Sequence, residues 1–281
     1  MKTSRELLLK ALPKRDAWAH KGDFGRVLVL SGSVGYTGAP VLAASAALRT
    51  GSGLIFVMTP QSVYPIVAGK LIEPMVFPCP DRDGMLSLAG LDAILQRLFT
   101  CDACLIGPGL GQSDEIRALV QAVLKHSRVP VVLDADGLNV LSGHIDILRE
   151  TTCPVILTPH EGEFARLLGA APERDTRLNA AKKLAADTSS IVLLKGHETV
   201  VTDGRTVYLN QTGNPGMATG GSGDVLAGVI LSLLGQKVEP LLAAACGAWL
   251  HGAAGDLCEK EFGQYGLTPM DLVQAVPRLL K

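Results

Sequence analysis

The stretch Asn214–Gly228, NPGMATGGSGDVLAG, decides how the rest of the chain is read. It places glycines, an N-capping serine and one acid directly before an apolar helical run of Val225, Leu226, Val229, Ile230 and Leu233. A helix that opens this way turns unpaired N–H groups and the positive end of its dipole toward whatever lies above it. Phosphate is the usual occupant of such a site. The glycines allow close backbone approach and turn geometries closed to other residues. Asp224 does not suit a passive phosphate site, because a carboxylate repels that ligand. It reads as a general base that removes a proton from an attacking hydroxyl. The alternative is a capped helix with Asp224 as an ordinary first-turn acid.

Working outward, short apolar runs alternate with helical patterns. Strands are expected at Arg26–Leu30, Leu54–Thr59, Ala103–Ile106, Pro130–Leu133, Val155–Thr158 and Ile191–Leu194. Helices fall around Pro40–Arg49, Asp114–Lys125, Glu161–Leu168 and Arg177–Asp187. Alternation with fully apolar strands predicts an α/β fold, a mostly parallel central sheet with helices on both faces. After Lys195 two β-rich runs, Thr199–Thr202 and Thr206–Leu209, meet at Asp203-Gly204, a hairpin signal. Helical stretches at Asp224–Leu234, Leu241–Lys260 and Pro269–Leu280 follow. No Ser- or Pro-rich linker and no repeat interrupts the chain, so residues 1–281 are expected to form one domain.

Composition narrows the classes. A net charge of −1 gives no surface that could neutralise a polyanion. The N-terminal MKTSRELLLKALPKR has too short an apolar run for a signal peptide and reads as an amphipathic helix. No uninterrupted apolar segment reads as long enough to span a bilayer, and a cytoplasmic location is expected. Cys101 and Cys104 form a C-x-x-C, but no second pair or nearby histidine completes a metal set. They read as buried structural cysteines.

The loops after the strands hold the remaining polar signals, where open α/β sheets place their ligands. They are Ser31–Pro40, Gly107–Gly111, Asp134–Asn139, Pro159–Glu163 and Lys195–Thr199. Known motifs fail here. There is no G-x-x-x-x-G-K-[S/T], and Gly107–Gly111 is G-x-G-x-G rather than a dinucleotide fingerprint. Phe164 stands where a zincin reading of His160-Glu161 needs its second histidine. Asp134 and Asp136 are read either as Mg²⁺ ligands or as loop caps. Lys195 offers a mobile point charge and Thr199 a hydroxyl, a pair suited to a nucleotide's sugar–phosphate part.

Together these residues carry a resemblance. G-G-S-G-D-V-L-A-G, D-A-D-G-L-N, T-P-H-E-G-E and the early G-x-x-G-Y-T-G-A-P resemble the ribokinase-like superfamily, and within it the ADP/ATP-dependent NAD(P)H-hydrate dehydratases. The resemblance runs from about Lys21 to the C-terminus. It implies ADP- or ATP-dependent dehydration of the S epimer of NAD(P)HX to NAD(P)H, by phosphorylation of the ring hydroxyl and loss of phosphate. By motif match, Ala39, Gly109, Gly111, His160 and Asp224 are implied as hydrate contacts. Lys195, Gly196, His197, Glu198, Thr199 and Gly223 are implied as nucleotide contacts. Asp224 is the implied base, with the N–H groups of Gly221, Ser222 and Gly223 holding the developing charge. The resemblance further implies Mg²⁺ without a readable ligand set, a homotetramer, and a separate epimerase as functional partner, since no fused epimerase domain is expected in this chain. Two other readings stand beside it. One is a ribokinase-like kinase for a vitamin precursor of the hydroxyethylthiazole or hydroxymethylpyrimidine type. The other is a silent nucleotide-binding regulator, against which Asp224 argues.

Overall fold

The computed structural model describes residues 1–169 and 176–281. In chain order the elements are α1 (Arg5–Ala11), β1 (Arg26–Leu30), α2 (Gly38–Thr50), β2 (Leu54–Pro60), α3 (Tyr64–Ala68), β3 (Met75–Cys79), β4 (Asp81–Arg82) and β5 (Met85–Leu86). Then come α4 (Leu91–Leu98), β6 (Ala103–Ile106), α5 (Asp114–His126), β7 (Val131–Leu133), α6 (Asp136–Asn139), β8 (Val155–Leu157) and α7 (Glu161–Leu168). The chain finishes with α8 (Arg177–Thr188), β9 (Ile191–Leu194), β10 (Thr199–Thr202), β11 (Val207–Asn210), α9 (Ser222–Gly235), α10 (Pro240–Gly266) and α11 (Pro269–Leu279).

Nine strands form one sheet in the order β11-β10-β9-β8-β7-β6-β1-β2-β3. The pairings from β9 through to β3 are parallel, and β10 is antiparallel to both β9 and β11. Alternate residues of each strand feed two cores, which is why the strands read as unbroken apolar runs. Val27, Val29, Leu105, Val132, Ile156 and Leu193 face α2, α9, α10 and α11. Leu28, Leu30, Ile106, Leu133, Leu157 and Leu194 face α4, α5, α7 and α8. Cys101 and Cys104 lie inside the second core, and burial pushes both thiols well above their ordinary pKa.

The expected strands and helices are present, with ends shifted by one or two residues, except that α10 runs six residues past its expected end at Lys260, to Gly266. The hairpin also forms: Asp203 Oδ1 accepts from the N–H groups of Arg205 and Thr206 and closes the turn. The elements between β2 and β6 (α3, β3, β4, β5 and α4) and the one-turn α6 were not anticipated. β3 contains Pro78, which blocks one ladder donor and is tolerated because the strand lies at the sheet edge. α4 buries only Ile94 and Leu98, too few apolar positions for a helical period to stand out. One expectation about apolar segments needs correction. α10 is by length and mean hydropathy (1.2) able to cross a membrane, and 72% of its apolar window is instead buried inside the protein.

Strand order reverses at β1, whose neighbours are β2 on one side and β6 on the other. The loops from the carboxyl ends of β1, β6, β7, β8 and β9 therefore gather along one edge, the position at which doubly wound sheets hold ligands.

Candidate active site

α9 opens at this edge. Its N-cap is Gly221, with φ of 96°, a left-handed turn that a side chain would strain. The serine is therefore not the cap: Ser222 is the first helical residue, its N–H reaches the Thr219 carbonyl at 3.3 Å, and its Oγ lies 3.3 Å from His251 Nε2. Gly223 and Asp224 complete the first turn, where N–H groups lack an i−4 partner in the helix. These residues line a cavity of about 880 Å³ with Asp134, His160, Glu163, the Lys195–Thr199 segment, Asn210–Asn214 and His251.

The floor of the cavity is a charged cluster. Asp134 is 1% exposed, and its Oδ1 accepts from Thr158 Oγ1 at 2.7 Å and from Lys195 Nζ at 2.9 Å. Lys195 Nζ also lies 3.4 Å from Glu163 Oε2. Burial, the largest single influence on Lys195, pulls its pKa down, but Asp134 and Glu163 together outweigh it and hold it above the ordinary value. Lys195 is thus a fixed charge rather than a mobile one. Gly223 lies directly against the cluster: a Cβ there would be in ordinary contact with it, 3.4 Å from Lys195 Nζ and 3.7 Å from Asp134 Oδ2.

Asp224 feels this cluster. Loss of water around its carboxyl raises the pKa most, Asp134, Glu163 and Asp136 raise it further, and Lys195 opposes them, leaving it at about 7. An acid tuned to neutrality is suited to accept a proton in turnover. His251 goes the other way: burial, with help from the Lys195 charge, lowers its pKa to about 4 against a hydrogen bond to the Ser222 backbone, so it is neutral.

The two acids of Asp134–Asn139 divide their work. Ala135 between them sits at φ 49°, a strained turn for a residue with a Cβ, and sends the two side chains to different partners. Asp136 accepts from Gly111 N at 3.0 Å, Gln112 Nε2 at 2.9 Å and Asn139 Nδ2 at 3.3 Å, so the loop-cap reading describes it. His160 caps as well. Its Nδ1 accepts from Gly162 N and Glu163 N at 2.9 and 3.2 Å, while Glu163 Oε2 accepts from His160 N at 2.8 Å. Only the other edge of its ring is left to face the cavity.

The remaining candidates fall in two places. Gly196, His197, Glu198 and Thr199 line the cavity with Lys195. Arg177, which sequence reasoning passed over, braces them by donating to the Lys195 and His197 carbonyls, both at 2.9 Å. Thr199 Oγ1 donates to the Gly196 carbonyl at 3.0 Å. Ala39, Gly109 and Gly111 are not among the lining residues of this cavity. Gly109 and Ala39 meet on the β1 and β6 side, where a Cβ on Gly109 would lie 3.1 Å from that of Ala39, while a Cβ on Gly111 would lie 2.6 Å from Met85 Sδ. The Gly111–Asp136 hydrogen bond ties that side to the Asp134 loop.

Comparison with known proteins agrees with this geometry. The family model described as NAD(P)H-hydrate dehydratase matches residues 27–278. The chain belongs to the NAD(P)H-hydrate dehydratase family. It is similar to the bifunctional NAD(P)H-hydrate repair enzyme Nnr of Moorella thermoacetica, 47% identical over 275 residues, covering 96% of this chain and 52% of that protein. The chain therefore spans about half the length of the curated relatives it matches. Among solved structures it is similar to the ADP/ATP-dependent NAD(P)H-hydrate dehydratase of Bacillus subtilis co-crystallised with ATP and Mg²⁺, at 33% identity and a TM-score of 0.84 over 98% of this chain and 96% of that one. A ribokinase-like superfamily protein of Enterococcus faecalis matches at 28% identity and a TM-score of 0.85, over 99% and 94% of the chains. The ribokinase-like fold and the family expected from the motifs are both present. The dehydratase match also disfavours the vitamin-precursor kinase.

Proposed function

We propose that this chain dehydrates the S epimer of NAD(P)HX to NAD(P)H at the expense of ADP or ATP. The observation that carries the reading is Asp224, its carboxyl tuned to about 7 and set as the third residue of α9, in the first turn after the Gly221 cap. Asp224 takes the proton of the ring hydroxyl as the hydroxyl oxygen attacks the terminal phosphorus, and the bridging P–O bond breaks to release AMP from ADP, or ADP from ATP. The N–H groups of Gly221 and Gly223 and the α9 dipole stabilise charge on the transferring phosphoryl group; Ser222 contributes through its hydroxyl, since its N–H is already directed at Thr219. The ring nitrogen lone pair then expels phosphate from the phosphorylated hydrate, and the neighbouring ring carbon gives up a proton to solvent, which restores the ring double bond of NAD(P)H.

Lys195 to Thr199 form the wall for the rest of the nucleotide, and His160 with Ala39, Gly109 and Gly111 the hydrate side. Among the described residues no group of three His, Cys, Asp or Glu side chains could hold a metal. With Asp134 and Glu163 paired to Lys195, the chain suits a Mg²⁺ ion that would be carried mainly by phosphate oxygens and water, with Asp134 as the carboxylate that would assist in holding it. Mg²⁺ would supply neutralisation of phosphate charge. All six cysteines are free and buried, which supports work in a reducing, cytoplasmic setting. Epimerisation is left to another catalyst or domain, and a homotetramer is the assembly we expect from the family.

The test is incubation with NADPHX, Mg²⁺ and either ADP or ATP, following the reduced-nicotinamide absorbance. Its return with one donor supports the reading. A stable phosphorylated product would make the chain a kinase, and no reaction with either donor would refute the proposal.

A further inference from the structure

The residues that open α9 are not held by their own helix alone. α10 lies across the segment that leads into them, and four of its residues at i, i+1, i+4 and i+5 share one face toward it. At Gly252 a Cβ would lie 2.3 Å from Thr212 Oγ1 and 2.6 Å from the Thr212 backbone, so the two chains meet with no room for a side chain. Thr212 Oγ1 also lies 3.1 Å from the Trp249 carbonyl. Three residues on, a Cβ at Gly255 would lie 2.1 Å from Met217 Sδ. The Asp256 carboxylate accepts from Gly213 N through both oxygens, at 3.2 and 3.1 Å, and from Asn214 Nδ2 at 3.3 Å. Asn214 Oδ1 then accepts from Gly216 N at 3.0 Å and starts the short turn Pro215–Met217. At the far end His251 Nε2 meets Ser222 Oγ at 3.3 Å. Thr212, Gly213, Asn214, Met217 and Ser222 are thus each gripped from the same side.

We propose that this face of α10, His251, Gly252, Gly255 and Asp256, is a clamp that positions the phosphate-binding start of α9, with Asp256 as its principal positioning residue. The segment it holds is glycine-rich and would otherwise sample many backbone conformations. A phosphate site built on N–H groups works only if those groups are already aimed at the ligand. Asp256 does not line the cavity, so it acts through Gly213 and Asn214. The proposal rests on the reading of α9 as the nucleotide phosphate site.

The experiment compares Asp256→Ala, Asp256→Asn and Gly252→Ala in the whole chain. Amide hydrogen exchange is read over residues 213–224 without ligand, and ADP affinity by calorimetry. Asp256→Ala is expected to accelerate exchange in that segment while the rest of α9 stays protected. It should weaken ADP about ten- to a hundredfold, the scale of losing hydrogen bonds to a charged group. The hydrate KM should stay nearly unchanged, a split that general destabilisation would not give. Asp256→Asn keeps an acceptor for Gly213 N and should recover most of the loss. Gly252→Ala forces the Thr212 backbone outward from a helix position otherwise favourable to alanine, and carries the same expectation if Asp256→Ala does not fold. Unchanged exchange over 213–224 in these variants would overturn the clamp, as would an Asp256→Ala protein that keeps its ADP affinity. A wild-type chain that binds neither ADP nor ATP would instead remove the functional reading, and the exchange data would still decide the clamp.

Discussion

The two sides of the cleft are built in opposite ways. On the α9 side a buried cluster of Asp134, Glu163 and Lys195 surrounds Asp224, and almost every polar atom has a partner. On the β1–β6 side the wall is glycine and alanine, with shape rather than charge as its content. There Gly107, at φ 135°, passes so close to the next loop that a Cβ would lie 1.7 Å from the Asp134 carbonyl oxygen. The difference teaches that a chemical step and a substrate-shaped surface need different things from the chain. The first needs charges that cannot move. The second needs backbone without side chains.

The largest effect should come from Asp224→Asn, which removes the base and keeps the size. Turnover should fall by about 10²–10⁴-fold while calorimetric ADP affinity is kept or improved. Turnover near wild type would assign Asp224 to the first turn of α9 and nothing more. The same variant should report on stability. Because the folded pKa of about 7 lies above the unfolded value of 3.8, the folded state holds the extra proton between them. Wild type therefore loses stability as pH rises through that window, and Asp224→Asn should melt higher than wild type above pH 7 but not below 4.

Lys195→Ala comes next. Removing the one cation leaves two buried carboxylates facing each other, a loss on the order of 3–5 kcal/mol by comparison with other broken buried pairs. Denaturant unfolding should show it together with weaker ADP and AMP binding. Stability and binding both at wild-type levels would mean the cluster is not a unit.

Gly109→Ala probes the other side, with a smaller effect. Gly109 has φ of 62°, and a Cβ would lie 2.7 Å from that of Tyr36. The variant should raise the hydrate KM while the ADP affinity stays close to wild type. A matching loss for both ligands would erase the contrast between the two walls.

The same contrast explains what was legible in the sequence. The sheet could be read because both faces are buried, so its strands are plain apolar runs. α9 and its glycine-opened start could be read because their chemistry is local. The cluster could not: Asp134, Glu163 and Lys195 come from three separate loops, and each reads alone as turn chemistry. Only their convergence reveals that Lys195 is immobilised. His160 was legible as a residue of the cleft, whose cavity it lines, but its capping geometry was not, since a histidine accepting two N–H groups through Nδ1 leaves no distinct pattern. Gly252 and Asp256 were hidden in α10 because a helix sequence does not say which face meets a loop.

The account stands or falls on the protonation of Asp224 in the working enzyme, and the pH dependence of kcat/KM for the hydrate measures it most directly. A base that must be ionised gives a rate that falls as pH drops through its pKa. With saturating nucleotide, kcat/KM should be half-maximal near pH 7, and the residual rate of Asp224→Asn should lack that limb. A wild-type profile flat from about pH 5 to 8 would contradict the account.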